Sequence, residues 1–174
     1  DIRMKRLFTL LLLSFFVNLS ANAQIQRNFY DFTLGVTSKR EFISYFKAKG
    51  IKVEKKDDES YYIENLKFGG EVWSFACFMF YNDKLMKVYY SENELNKGSA
   101  LLAQRWEKLN NLIFKKYAGF KDLNRSDEER QLYDDSFTSL TITYDYFDGV
   151  KFVTLSYSDI KLVLKKLKQE ENEF

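Results

Sequence analysis

The chain has 174 residues, with 27 Lys and Arg against 25 Asp and Glu, no His, no Pro and one Cys. Without His it has neither a Ser-His or Cys-His catalytic pair nor an imidazole metal ligand. One Cys excludes an intramolecular disulfide and a Cys-rich zinc site within this chain. Hydrophobic residues make up 45% of the sequence, which is enough for a packed core, so the length predicts one folded domain.

The first 23 residues have the layout of a secretory signal peptide. A basic start at Met4 to Arg6 precedes the apolar run 7–17, and the small residues Ala21 and Ala23 fit a cleavage site after Ala23. The apolar run is shorter than the roughly 20 residues that span a bilayer. We therefore expect a cleaved leader over 1–23, a single domain over 24–174, no stable membrane anchor after cleavage, and a periplasmic or secreted location. An uncleaved anchor is the alternative.

Removal of the leader leaves a chain without net charge. Residues 1–23 hold three basic side chains and one acidic one, so residues 24–174 carry 24 of each sign. A nucleic-acid binder needs a positive field to neutralise phosphates, so we expect no nucleic-acid partner. Because charge repulsion does little to keep copies apart, a homodimer stays open.

The segment after the leader predicts a helix followed by a three-stranded meander. Ser38 and Glu41 have the spacing of a capping box, and Gly50 stands where a C-terminal cap belongs. Both turns of the meander contain residues that tolerate positive φ, as tight hairpins require. The predicted strands are 61–68, 72–81 and 84–91, and the turns between them are Gly69-Gly70 and Asn82-Asp83.

A long second helix follows the meander. Ser99 can cap it and Gly119 can end it, while apolar residues from Leu102 to Tyr117 recur on one face at helical spacing. That face includes Trp106, which we expect to pack against the sheet. The stretch 121–135 is polar and charged and predicts an exposed loop.

The last part of the chain predicts a hairpin and a third helix. Asp148-Gly149 is a strong hairpin signal, and Asp159 can cap the helix that follows. The whole therefore predicts an α+β domain with an antiparallel sheet of about five strands packed on helices, in the order α-β-β-β-α-β-β-α. The expected cross-strand pairs are Tyr144 with Val153, Ile142 with Leu155, and Leu140 with Tyr157.

The turn at Asn82-Asp83 fixes the expected register of the second and third strands. If it closes a two-residue hairpin, Tyr81 faces Lys84, and the pairs that follow alternate between the two faces of the sheet. The expected core pairs are Met79 with Met86, Cys77 with Val88, and Phe75 with Tyr90. The expected pairs on the opposite face are Phe78 with Lys87 and Ala76 with Tyr89.

The face opposite the predicted core carries the candidate binding surface. Aromatic side chains with polar neighbours on an open sheet face can stack on sugars or anchor a protein partner. The same pattern also arises when another layer covers this face, or when the aromatic residues reflect only the ordinary preference of strands. The candidate surface residues are Tyr61, Phe78, Lys87, Tyr89, Asp145 and Phe152.

No pattern in the sequence assigns a catalytic residue, a cofactor or a metal. The acidic runs 57–59 and 127–129 lack the ligand spacing and the Gly of a calcium loop. Our first hypothesis is an exported, non-enzymatic binding or protein-interaction domain whose partner is an unknown protein or small ligand. The alternative is a carboxylate-dependent enzyme acting on envelope carbohydrate, which needs a pocket with two converging acids, one of them with a raised pKa.

Several segments together resemble small exported proteins of Bacteroides-type bacteria. They are the leader that ends in Ala21 to Ala23, the segment 32–50, the hairpin around Asn82-Asp83, and the helix end Lys116 to Gly119. The resemblance covers most of residues 24–174 and rests on layout. It implies an uncharacterised α+β domain with a periplasmic or secreted location and no known reaction.

Overall fold

The computed structural model describes residues 24–172, so the predicted leader 1–23 lies outside the described residues. No helix in the described range is long and apolar enough to cross a membrane. The helices are α1 Lys39–Ala48, α2 Glu94–Lys97, α3 Ser99–Tyr117 and α4 Ile160–Glu171, with a 3₁₀ turn at Ala118–Phe120. The strands are β1 Asn28–Phe29, β2 Phe32–Thr33, β3 Glu54–Lys55, β4 Ser60–Phe68, β5 Glu71–Tyr81, β6 Lys84–Asn93, β7 Arg130–Asp134, β8 Thr138–Phe147 and β9 Val150–Asp159.

The predicted α+β class with an antiparallel sheet is confirmed. Seven strands form one sheet in the order β3-β4-β5-β6-β9-β8-β7, and β1 pairs with β2 in a separate hairpin. The pairing of β6 with β9 joins the meander and the last hairpin into one platform. The predicted count of about five strands and the order α-β-β-β-α-β-β-α are wrong, because β1, β2, β3, β7 and α2 also form.

Strand β7 lies inside the stretch 121–135 that the sequence predicts as a loop. Its Leu132 and Tyr133 are buried, whereas Arg130 at its start is exposed. The strand forms one edge of the sheet, where it pairs with β8 and makes one isolated antiparallel bridge from Tyr133 to Lys121. Charged residues on an edge strand discourage pairing with other chains, and they also hide the strand from a search for apolar alternation.

Helix α1 begins as the sequence predicts. The Glu41 N–H donates to the Ser38 hydroxyl, and the Ser38 N–H donates to the Glu41 carboxylate at 2.8 Å, which completes the capping box. Phe42 and Phe46 are fully buried on the inner face of the helix. Phe42 lies 4.7 Å from Phe78 between ring centroids, so α1 packs directly on β5.

Helix α3 covers the other half of the same sheet face. Leu102, Ile113 and Tyr117 are buried, and Trp106 stacks on Tyr144 of β8 at 5.9 Å between ring centroids. The expected cap at Ser99 is wrong, because Gly98 occupies the N-cap position and no side chain caps the helix there. The Ser99 hydroxyl instead donates to Glu94 at 2.5 Å.

The hairpin of β8 and β9 has the predicted register. Tyr144 faces Val153, Ile142 faces Leu155, and Leu140 faces Tyr157. Leu140 and Ile142 have no solvent-accessible surface. The apolar face of this hairpin therefore belongs to the same core as α3.

The hairpin of β5 and β6 departs from the predicted register after its first two pairs. Tyr81 faces Lys84 as expected, but a β-bulge at Met86 makes Met79 face Lys87. A register shift of one residue moves the side chains of one strand to the opposite face of the sheet relative to those of its partner. The expected pairs of Met79 with Met86, Cys77 with Val88 and Phe75 with Tyr90 are therefore wrong. The expected pairs of Phe78 with Lys87 and Ala76 with Tyr89 are wrong too, since Phe78 faces Val88 and Ala76 faces Tyr90.

Helix α4 packs on the reverse face of the sheet, at one end only. The Asp159 carboxylate accepts from the Leu162 N–H at 2.8 Å, so the predicted cap is confirmed. Leu162 contacts Tyr81 and Met86 near the turn of β5 and β6. The rest of the reverse face carries no helix among the described residues, and we call it the open face.

Candidate functional site: the open face of the sheet

The two faces of the sheet are covered to very different extents. One extensive core includes residues of α1, α3 and the hairpin of β1 and β2, all on one side. On the other side, α4 covers only the end near Tyr81 and Met86. Inward-facing residues such as Val88 and Leu155 fix which neighbours point outward, because side chains alternate along a strand. The open face includes Tyr62, Glu64, Phe75, Cys77, Met79, Lys87, Tyr89, Ser91, Arg130, Leu132, Asp134, Ser139, Thr141, Thr143, Asp145, Phe152, Thr154, Ser156 and Ser158.

Three half-buried aromatic residues form a stripe across β4, β5 and β6. The ring centroids of Tyr62 and Phe75 are 5.5 Å apart, and those of Phe75 and Tyr89 are 5.8 Å apart. The rings of each pair are tilted by 37° and 49° respectively, so they present both faces and edges to solvent. Aromatic surface of this kind offers apolar contact area at little cost in side-chain entropy. We call Tyr62, Phe75 and Tyr89 the aromatic stripe.

Hydroxyl groups cover the neighbouring strands β9 and β8. Ser156 lies between Tyr89 and Thr141 in one row across the sheet, and Thr154 lies between Ser91 and Thr143 in the next row. The Ser91 and Thr154 hydroxyls are 3.2 Å apart. Hydroxyls both donate and accept hydrogen bonds, so this region can match polar groups of either kind. The open face thus has an aromatic half and a hydroxyl half.

Lys87 lies between Met79 and Ser158 in the adjacent row. Its ammonium group is 5.8 Å from the centroid of the Tyr89 ring. Burial lowers the pKa of Lys87, and the positive charge of Arg130 lowers it further. The neighbouring Cys77 thiol acts in the opposite direction, but among residues 24–172 no carboxylate forms an ion pair with Lys87. A half-buried cation without an acidic partner favours an anion supplied from outside.

Three further side chains of the open face, Tyr62, Tyr89 and Cys77, have pKa values shifted upward. A hydrogen bond with the Glu54 carboxylate raises the pKa of the Tyr62 hydroxyl. Burial raises the pKa of Tyr89 and of the Cys77 thiol. Only 2% of Cys77 is exposed, so this thiol is a weak nucleophile beneath its larger neighbours.

The structure divides the six predicted surface residues into three groups. Lys87 and Tyr89 lie next to each other on the open face, beside the aromatic stripe. Asp145 and Phe152 face each other on the open face, but roughly 13 Å further along the strands from Tyr89. The placement of Tyr61 and Phe78 is wrong, because both are buried under α1.

Sequence reasoning missed two members of the aromatic stripe. Tyr62 and Phe75 lie on the open face, although the expected register placed Phe75 in the core. Glu64 carries the signal that could have found Tyr62, since a charged residue two positions along the strand points to the same solvent side. No charged residue near Phe75 shows which side of the strand faces solvent, because its neighbours Ser74 and Ala76 are small.

Two carboxylates converge elsewhere, in a cavity of about 280 Å³ beside α3. Arg105 contacts both, with 3.1 Å to Glu71 and 3.3 Å to Glu92. The Lys108 and Arg105 side chains hold the pKa of Glu71 below its usual value, because they stabilise the charged form. This pair is therefore an ion-pair network that joins α3 to the sheet.

Comparisons of the chain with protein-family models, curated proteins and solved structures find no match. Within residues 24–172, no three His, Cys, Asp or Glu side chains form a group that could hold a metal ion.

Proposed function

We propose that this protein is an exported, non-enzymatic binding domain whose open face holds a carbohydrate ligand. The observation that carries the proposal is the position of the aromatic stripe next to a field of Ser and Thr hydroxyls, on the sheet face that the helices leave accessible. Sugar rings have apolar faces that stack on aromatic rings and hydroxyls that exchange hydrogen bonds with side-chain hydroxyls. Export rests on the signal-like residues 1–23.

The carboxylate-dependent enzyme remains the alternative function. It would act through Glu71 and Glu92, since these acids line one cavity. A general acid needs a raised pKa, whereas that of Glu71 is lowered. The geometry at Arg105 therefore favours a structural use of this pair.

Affinity gel electrophoresis tests the carbohydrate proposal. The purified protein would run through gels that contain one soluble polysaccharide each, such as xylan, dextran, laminarin or pectin. We expect at least one polysaccharide to retard the protein, and the Phe75→Ala and Tyr89→Ala variants to lose that retardation. Val72→Ala is the matched control, because Val72 is an exposed apolar residue of the same strand outside the stripe.

Circular dichroism would show that each variant is folded. Equal retardation of the wild type and both stripe variants would contradict the proposal. Capture of a protein partner that depends on Phe75 and Tyr89, without any retention by polysaccharide, would instead assign the open face to protein interaction.

A further inference from the structure

A groove of about 420 Å³ runs along the corner between α4 and the open face. Its wall is apolar and consists of Ile160, Val163 and Leu164 of α4, with Met86 beside them. Leu164 is 53% exposed, so the wall offers apolar surface that the protein itself does not bury. A cavity of this volume lies in the range that small ligands occupy. We call it the α4 groove.

The floor of the α4 groove is a single row of residues across five strands. The row runs from Met79 through Lys87, Ser158 and Ser139 to Asp134, each facing the next across neighbouring strands. Strands lie about 4.8 Å apart, so the floor is about 19 Å long. It is apolar at the Met79 end and polar from Lys87 onward. The groove is therefore elongated and amphipathic.

Charges along the groove leave one cation without a partner. Arg125 at the far end pairs with both Asp122 and Asp134, so it contributes no uncompensated positive charge. Lys87 has no carboxylate partner among the described residues, and the titratable neighbours that act on it are Cys77 and Arg130. One uncompensated positive charge matches one negative charge better than it matches a phosphate dianion.

We propose that the α4 groove binds an amphiphile that carries one carboxylate and an unbranched apolar chain. The carboxylate pairs with the Lys87 ammonium and accepts a hydrogen bond from the Ser158 hydroxyl. The chain lies against Val163, Leu164 and Met79, which buries the exposed apolar surface of the wall. The proposal does not rest on carbohydrate binding, because none of the groove residues belongs to the aromatic stripe.

Titration with three probes of equal chain length tests this proposal. Octanoate and octylammonium, below their micelle thresholds, and octan-1-ol, below its solubility limit, would be added while amide chemical shifts are recorded. We expect octanoate to shift the amides of Lys87, Ser158 and Val163, and to bind about tenfold more tightly than octan-1-ol. Octylammonium should bind more weakly than octan-1-ol, since Lys87 repels it.

Two matched pairs of variants separate the charge from the apolar wall. Lys87→Met should weaken octanoate binding about tenfold without weakening octan-1-ol binding, whereas Lys84→Met, on the same strand but outside the groove, should change neither. Leu164→Gln should weaken both probes, and Leu167→Gln on the next turn should weaken neither. Phe75→Ala should leave octanoate binding intact even where it removes carbohydrate binding.

Two results would overturn the proposal. The first is octanoate that shifts none of the groove amides, or that binds no better than octan-1-ol. The second is unchanged octanoate affinity in Lys87→Met. If Lys87→Met does not fold, the ranking of the three probes on the wild type and the Leu164→Gln variant still decide the question.

Discussion

The covered and open faces of this sheet are both rich in aromatic residues, yet these residues are buried to very different extents. On the covered face, Phe78 and Phe80 have no accessible surface and pack against α1. On the open face, Tyr62, Phe75 and Tyr89 stay half-buried with hydroxyl groups beside them. The comparison teaches that aromatic content does not assign a role to a strand. The layer packed on each face does, and the β-bulge at Met86 decides which residues meet that layer.

The sharpest test of the comparison is to remove one aromatic ring from each face of β5. Phe78→Ala should lower the free energy of unfolding by about 4 kcal/mol, because it leaves a cavity among Phe32, Phe42 and Phe46. Phe75→Ala should cost less than about 1.5 kcal/mol, since Phe75 keeps contact with solvent. Urea denaturation measures both changes. Equal losses of unfolding free energy in the two variants would mean that Phe75 and Phe78 are buried to the same extent.

A second test acts on the ion pair that joins α3 to the covered face. Arg105 contacts Glu92, whose side chain is fully buried, and also lies over the Trp73 ring at 4.8 Å. Arg105→Met should cost about 3 kcal/mol, because it leaves a buried carboxylate without its cation. The control is Lys108→Met, which removes only an exposed partner of Glu71 and should cost less than about 1 kcal/mol. A loss of the same small size in Arg105→Met would show that Glu92 is not held by this pair.

The smallest expected effect has the opposite sign and concerns Lys87 on the open face. The folded state lowers its pKa, so the charged form destabilises the protein and Lys87→Met should raise the free energy of unfolding by about 0.5–1 kcal/mol. The penalty is full below the lowered pKa of the folded state and disappears as the pH rises past the ordinary lysine value of 10.5. The gain from Lys87→Met should shrink over the same interval. Urea denaturation at several pH values checks this, and a destabilised Lys87→Met at neutral pH would contradict it.

Local signals in the sequence predicted those parts of the fold that depend on local geometry. The capping box at Ser38 and Glu41 and the register set by Asp148-Gly149 need only neighbouring residues, and both are confirmed. The strand β5 is different, because 73–81 is apolar on both sides and its alternation does not show which side is inward. The bulge at Met86 shifts the pairing by one residue, so the side chains of β5 lie on the faces opposite to those expected. The two-residue turn gives no sign of this bulge.

The sequence predicts the candidate site only in part. The sequence predicts Lys87 and Tyr89 on the open face, and their alternation with the buried Val88 and Tyr90 places them there. Tyr61 and Phe78 were misplaced together with the strands that carry them. The sequence does not predict the α4 groove, because the groove forms only where α4 packs across the reverse face and contacts Met86.

The most direct test of the central claim is to map where a retained polysaccharide fragment contacts the protein by amide chemical-shift perturbation. Binding at the open face predicts shifts that cluster on Tyr62, Phe75 and Tyr89 and on the Ser and Thr residues of β9, with no shifts on α1 or α3. Shifts that cluster on α1 and α3, or a fragment that binds equally well to Phe75→Ala, would contradict the account.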